Sequence, residues 1–185
     1  MSYINSNIQV FKKKLRTVRN SEELNSKLDT FLADMKSYDW NSPSTNDEMK
    51  KLLDSIKDHK LFDANTISLL VKYLPNINNQ VYNQRIISDF IASLTTSSFI
   101  SEKEIRMIYK KFGKSVTVAK ALAGCSNTPK DVLEKLAFHE QYSVVAEIAN
   151  NTGRDAIELL KDPKMAQRVL LAEILINGYT RHIKN

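Results

Sequence analysis

The sequence predicts an all-α protein, with an N-terminal helical hairpin over residues 1–38 and a run of short helices over 45–185 that forms a second domain or continues the first. Three observations predict it. Apolar residues recur at spacings of three and four in one segment after another, the mark of a single buried helix face. Each segment is bounded by residues that start or stop helices, and no alternating run bounded by hairpin turns interrupts the series. The 185 residues are 42% hydrophobic and 26% charged with four Gly and four Pro, which excludes collagen-like, linker-like and wholly disordered chains.

Along the chain, Ile4, Ile8, Phe11, Leu15 and Val18 form a first seam, and Leu24, Leu28, Phe31, Leu32 and Met35 a second. Between them Asn20 and Ser21 supply a cap, and Glu22 and Glu23 complement the positive end of the second helix. The hairpin leaves through 38–46, where Pro43 and a cluster of Ser, Thr and Asn end the periodicity and mark a linker. Thr45 and Glu48 then read as a capping box ahead of Met49, Leu52, Leu53 and Ile56. Ile67, Leu70, Val71 and Leu74 form a stripe that stops at Pro75, and Ile86, Ile87, Phe90, Ile91 and Leu94 form another. Ser101 and Glu104 box the helix of Ile105, Ile108, Tyr109 and Phe112, which Gly113 ends.

The last third repeats itself. VAKALAGCSNTPKDVLEKLA from Val118 is echoed by VAEIANNTGRDAIELLK from Val145, with Leu133 and Leu136 mapping onto Ile157 and Leu160 at an offset of 24 and Leu122 and Ala123 onto Ile148 and Ala149 at 26. Each unit reads as helix, turn, helix, and Thr128-Pro129 and Asp162-Pro163 each read as a cap followed by proline in the first turn. Helices this short must bury their stripes against neighbours. The block SNTPKDVLEKLA resembles short helical repeats of the HEAT-like and leucine-rich-repeat-variant kind, mainly over 115–176, although the second unit carries Gly153 in place of the proline. The resemblance implies a right-handed stack of helix pairs with a binding role, and it transfers no catalytic residue.

Most site chemistries lack their residues. The single cysteine, Cys125, makes no internal disulfide and points to a reducing, cytoplasmic compartment. His59, His139 and His182 stand apart, with no pair at helical spacing to hold a metal. Phosphate-loop, dinucleotide, nucleophile-elbow and zinc-protease motifs do not occur, so no metal, cofactor or small-molecule ligand is expected. His139 with Glu140 reads as a polar loop before it reads as an acid and base pair, and Cys125 as a small residue at a tight turn; an enzyme with an unrecognised site is the third reading. No apolar run spans a bilayer, since Glu173 interrupts Val169 to Ile176. The acid-free first 21 residues share features of an organelle transit peptide, but their full apolar seam favours a folded helix.

Positive charge is concentrated. The net +6 comes from Lys12, Lys13, Lys14, Arg16 and Arg19 without an acid, and from Lys103, Arg106, Lys110, Lys111, Lys114 and Lys120 against Glu104 alone, so the rest of the chain is net acidic. At helical spacing Lys103, Arg106 and Lys110 cluster opposite Ile105, Ile108, Tyr109 and Phe112, with Met107 among them, while Lys12, Arg16 and Arg19 align beside the first seam. The leading expectation is a non-enzymatic interaction module that binds an acidic protein surface through Lys103, Arg106, Met107, Lys110, Lys111 and Lys114, with a second contact from Lys12, Arg16 and Arg19. The alternative is a nucleic acid whose phosphates meet the same residues. Base stacking is its missing half, because the one Trp is Trp40 in the linker and the Tyr and Phe residues mostly fall on apolar stripes.

Overall fold

A computed structural model of the chain describes residues 3–35, 43–75 and 83–182, which form eleven α-helices and one short 3-10 turn, with no strand among them. The chain is all-α over those residues. Most of the expected linker and of the Asn-rich loop after Pro75 lies outside the described residues. The helices gather into two compact units, Met1–Leu94 and Thr95–Asn185.

The first unit holds α1 (Tyr3–Leu15), α2 (Ser21–Asp34), α3 (Pro43–Lys57), α4 (Ala64–Tyr73) and α5 (Asn83–Leu94). α1 packs on α3, α2 on α4 and α3 on α5. The hairpin seams are therefore completed by the helices that follow them. Ile8, Leu24, Leu28, Leu52 and Ile56 are fully buried, as their spacing predicts. α1 stops at Leu15 because both the amide and the hydroxyl of Thr17 donate to the Lys14 carbonyl, at 3.2 and 2.9 Å. Val18 is still buried, but from the turn and not from the helix.

Helix starts in this unit are set by local acceptors. The Asn20 side chain caps α2 by accepting from the Glu23 amide at 2.8 Å, and Glu23 accepts from the Arg19 amide at 3.0 Å. α3 begins at Pro43, where a fixed φ suits the first turn, so Thr45 lies inside the helix instead of capping it. Asp63 and Thr66 form a reciprocal capping box on α4, and Asn25 joins it to α2 by accepting from the Thr66 hydroxyl at 2.8 Å. His59 serves the loop before α4: Nδ1 accepts from the Leu61 amide at 3.2 Å, which leaves the neutral ring's proton on Nε2, facing the Leu15 carbonyl at 3.2 Å.

The second unit holds α6 (Glu102–Phe112), α7 (Val116–Gly124), α8 (Lys130–Ala137), α9 (Tyr142–Glu147), α10 (Arg154–Leu159) and α11 (Pro163–His182), with a 3-10 turn at Ile148–Asn150. α7 packs on α6 and α9, α9 on α11, and α8 on α10. Arg106 in the middle of α6 reaches Asp131 at the start of α8, and Lys135 one turn further on lies over the Tyr109 ring, so α6 and α8 run in the same direction. Asp155 at the start of α10 accepts from the Lys130 amide at 2.9 Å, which brings the starts of α8 and α10 together.

The turns carry the repeat more faithfully than the seams do. Asn127 donates to the Ile100 carbonyl at 3.2 Å, and Asn151, its counterpart 24 residues on, donates to the carbonyls of Ala123 and Cys125 at 2.7 and 2.8 Å. A Cβ on Gly153 would stand 2.0 Å from the Ser126 carbonyl oxygen, which explains why glycine replaces the proline of the first unit. Leu133 and Leu136 are fully buried, whereas Ile157 is 55% exposed and Leu160 half-buried.

Of the expected caps, Ser101 with Glu104 holds α6 and Asp162 holds α11, accepting from the Lys164 amide at 2.8 Å. Thr128 does not cap α8. Its hydroxyl donates back to the Leu122 carbonyl at 2.7 Å and Pro129 occupies the cap, because the tight turn offers a buried acceptor closer than the new helix. Gly113 ends α6 in a right-handed conformation, and a side chain there would meet the Tyr109 carbonyl at 2.5 Å.

Candidate functional site

The two basic segments meet different fates. In the first unit Lys12 lies 3.3 Å from Glu48, whose carboxylate also takes bonds from Gln9 at 3.0 Å and Lys51 at 3.1 Å. Lys51 first and Lys12 second hold the Glu48 carboxyl below the usual range. Arg16 and Arg19 are exposed in the turn after α1, not on its face with Lys12, because the helix has already stopped. A groove of about 370 Å³ runs between α1 and α2 over the stacked rings of Phe11 and Phe31, whose centroids are 4.1 Å apart, and Lys14 and Asp34 stand on its rim.

α6 is amphipathic as the spacing predicts, with Ile105, Ile108 and Phe112 buried and Lys103 and Lys110 exposed. Arg106 is committed inside the unit, to Asp131 and Glu102 at 2.9 Å each. Asp131 foremost, with Glu102, raises its pKa further, and Arg106 in turn holds the Asp131 carboxyl down. Met107 is half-buried beside it. The Lys111 ammonium lies 5.5 Å from the Phe112 ring, and burial pushes its pKa down. Lys103, Lys110 and Lys114 have no carboxylate of the described residues within ion-pairing distance. The chain's own acids thus pair with Lys12 and Arg106 and leave Lys103, Lys110 and Lys114 without a carboxylate partner among the described residues at the two ends of α6.

Because α6 and α8 are parallel, their C-terminal ends share one edge of the unit. Lys110 and Lys111 occupy the last turn of α6 and Lys114 the turn after it, while Lys135 and then Phe138 occupy the equivalent end of α8. Phe138 is 61% exposed and Tyr142, across the α8–α9 turn, 54%. The Arg168 guanidinium covers one face of the Phe138 ring at 4.7 Å, and its Nε donates to the Ala137 carbonyl. The turn is closed by His139, whose Nδ1 accepts from the Gln141 amide at 3.0 Å. Sequence reasoning missed the two rings. The signal was present in FHEQY, where Phe138 and Tyr142 flank three polar residues beyond the seam of α8.

Two of the residues weighed for catalysis, His139 and Cys125, hold structural bonds. Cys125 is half-buried and its thiol donates to the Thr95 carbonyl at 3.3 Å. Among the described residues no group of His, Cys, Asp and Glu is arranged to hold a metal ion, and no helix is long and apolar enough to cross a membrane. Comparison with known protein families, curated proteins and solved structures found no match to this chain.

Proposed function

We propose that the chain is a non-enzymatic interaction module whose second unit is a HEAT-like helical repeat, and that it binds nucleic acid by contacting phosphates through the lysines at the C-terminal end of α6. The parallel α6 and α8, the 24-residue equivalence of Asn127 with Asn151 and of Asp131 with Asp155, and the side-by-side packing of α7, α9 and α11 support the repeat reading. One observation carries the functional reading: Lys110, Lys111, Lys114 and Lys135 collect along the same edge as two half-exposed aromatic rings. Lysines alone would suit any acidic surface. Exposed rings beside them supply the stacking half that the sequence left unassigned.

The test is fluorescence polarisation with a labelled oligonucleotide across a salt series. Four phosphate contacts give a slope of log affinity against log salt of about −3, and Lys110→Glu with Lys114→Glu reduces its magnitude by about two. No binding at about 50 mM salt overturns the reading. A second reading, an acidic protein surface, is favoured by Met107, a half-buried apolar side chain between Lys103 and Lys110. It fails if the same double variant leaves capture of an acidic partner unchanged.

A further inference from the structure

We infer that the turn edge of the second unit binds single-stranded nucleic acid, with a base stacked on Phe138 and phosphates met by Lys110 and Lys114. The inference rests on the nucleic-acid reading above and adds the strandedness and the stacking residue.

Phe138 sits where a large apolar ring has no packing role to explain it. Its neighbours in α8, Val132, Leu133, Leu136 and Ala137, are all buried, and the ring itself projects past the end of that seam into solvent. It is nevertheless held. Arg168 lies against one face and is itself tied to the Ala137 carbonyl, so the ring is fixed on one side and presents the other. A pre-positioned ring loses little conformational freedom when a ligand stacks on it. The guanidinium behind it adds positive charge to the platform without obstructing the open face.

The phosphate contacts come from the helix bridged to α8. Arg106 bonds Asp131 and Lys135 lies over the Tyr109 ring, so α6 and α8 are bridged, with Lys110 and Lys114 following on the α6 side of the bridge and Phe138 on the α8 side. A strand laid along the edge would cross the lysines and then the ring, with Tyr142 following on the far side of the turn. Glu140 is the one carboxylate in the turn itself, and Asp162 is engaged as the cap of α11. A duplex does not fit the ring, because its base faces are already stacked on one another and only phosphates and groove edges are outside. An unpaired strand offers base faces and phosphates together.

The experiment compares a labelled 15-nucleotide oligo-dT with a labelled 15-base-pair duplex on the full chain by fluorescence polarisation at about 100 mM salt. Oligo-dT is expected to bind at least about tenfold tighter than duplex. Phe138→Ala is expected to weaken oligo-dT about tenfold while leaving the salt slope unchanged, since it removes a ring and not a charge. Phe138→Trp is expected to keep the affinity and to show indole quenching on titration. Circular dichroism melts verify that both variants are folded, and Tyr142→Ala provides a second ring substitution should Phe138→Ala melt early. Equal affinity for duplex, or wild-type affinity in Phe138→Ala, overturns the stacking site and leaves the phosphate reading standing. Absence of binding to either oligonucleotide at about 50 mM salt overturns both, and retention of polyglutamate by the same lysines then assigns the edge to an acidic protein.

Discussion

Replacing Asn151 by alanine tests whether the second unit is held by its turns. The Asn151 side chain is 5% exposed, donates to two carbonyls at the end of α7 and accepts from the Gly153 amide at 2.8 Å. The Cys125 carbonyl keeps a bond from the Thr128 amide after the substitution, at 3.0 Å. The Ala123 carbonyl and the Gly153 amide lose the Asn151 bond. Two buried polar groups without partners cost about 1–3 kcal/mol each, so Asn151→Ala should lose about 3 kcal/mol. For a unit of this size that lowers the melting temperature by about 12 °C or more. The assay is urea denaturation followed by circular dichroism, with the loss confined to the transition of the second unit. Asn127→Ala is the internal control, because Asn127 is exposed and makes one bond of 3.2 Å, and it should cost less than about 1 kcal/mol. A loss in Asn151→Ala no larger than in Asn127→Ala would refute the account of the turn as a clamp.

Two further outcomes follow from the same structure. Gly153→Ala places a Cβ against backbone that cannot rotate away, and should cost at least about 2 kcal/mol in the same denaturation assay, whereas Gly178→Ala, with nothing within 4 Å, should not destabilise. At Asp63, burial pushes the carboxyl up, but bonds from the Thr66 amide, Asn25 and the Thr66 hydroxyl outweigh it and hold the pKa below its ordinary value. A depressed folded-state pKa contributes stability that is complete above about pH 4 and is lost as the pH falls through the folded value. Melting temperatures measured from pH 6 down to pH 2 should therefore fall less steeply in Asp63→Asn, and an identical profile would show that this carboxylate does not contribute.

Periodicity made the helices and their buried faces legible, because the side of Ile105, Ile108 and Phe112 that packs is set by residues three and four apart. Caps that act on the nearest amides were equally legible at Asn20, Ser101 and Asp162. What could not be read were partners distant along the chain. Glu48 lies 36 residues from Lys12 and Asp131 lies 25 from Arg106, so nothing local showed that these two cations were taken. Arg16 and Arg19 were placed on a helix that Thr17 had already ended. Phe138 and Tyr142 flank a turn whose polar residues drew the reading, and nothing local showed that both rings stay exposed once α8 ends at Ala137 and α9 begins at Tyr142.

The long-range bonds between side chain and main chain in the second unit share a direction among the described residues. In each of five, a later side chain reaches earlier main chain: Cys125 to Thr95, Asn127 to Ile100, Asn151 to Ala123, Asp155 to Lys130 and Arg168 to Ala137. A polypeptide leaving the ribosome emerges N-terminus first. Every new rung of this ladder therefore finds its anchorage already synthesised, and assembly can keep pace with translation without waiting for the C-terminus.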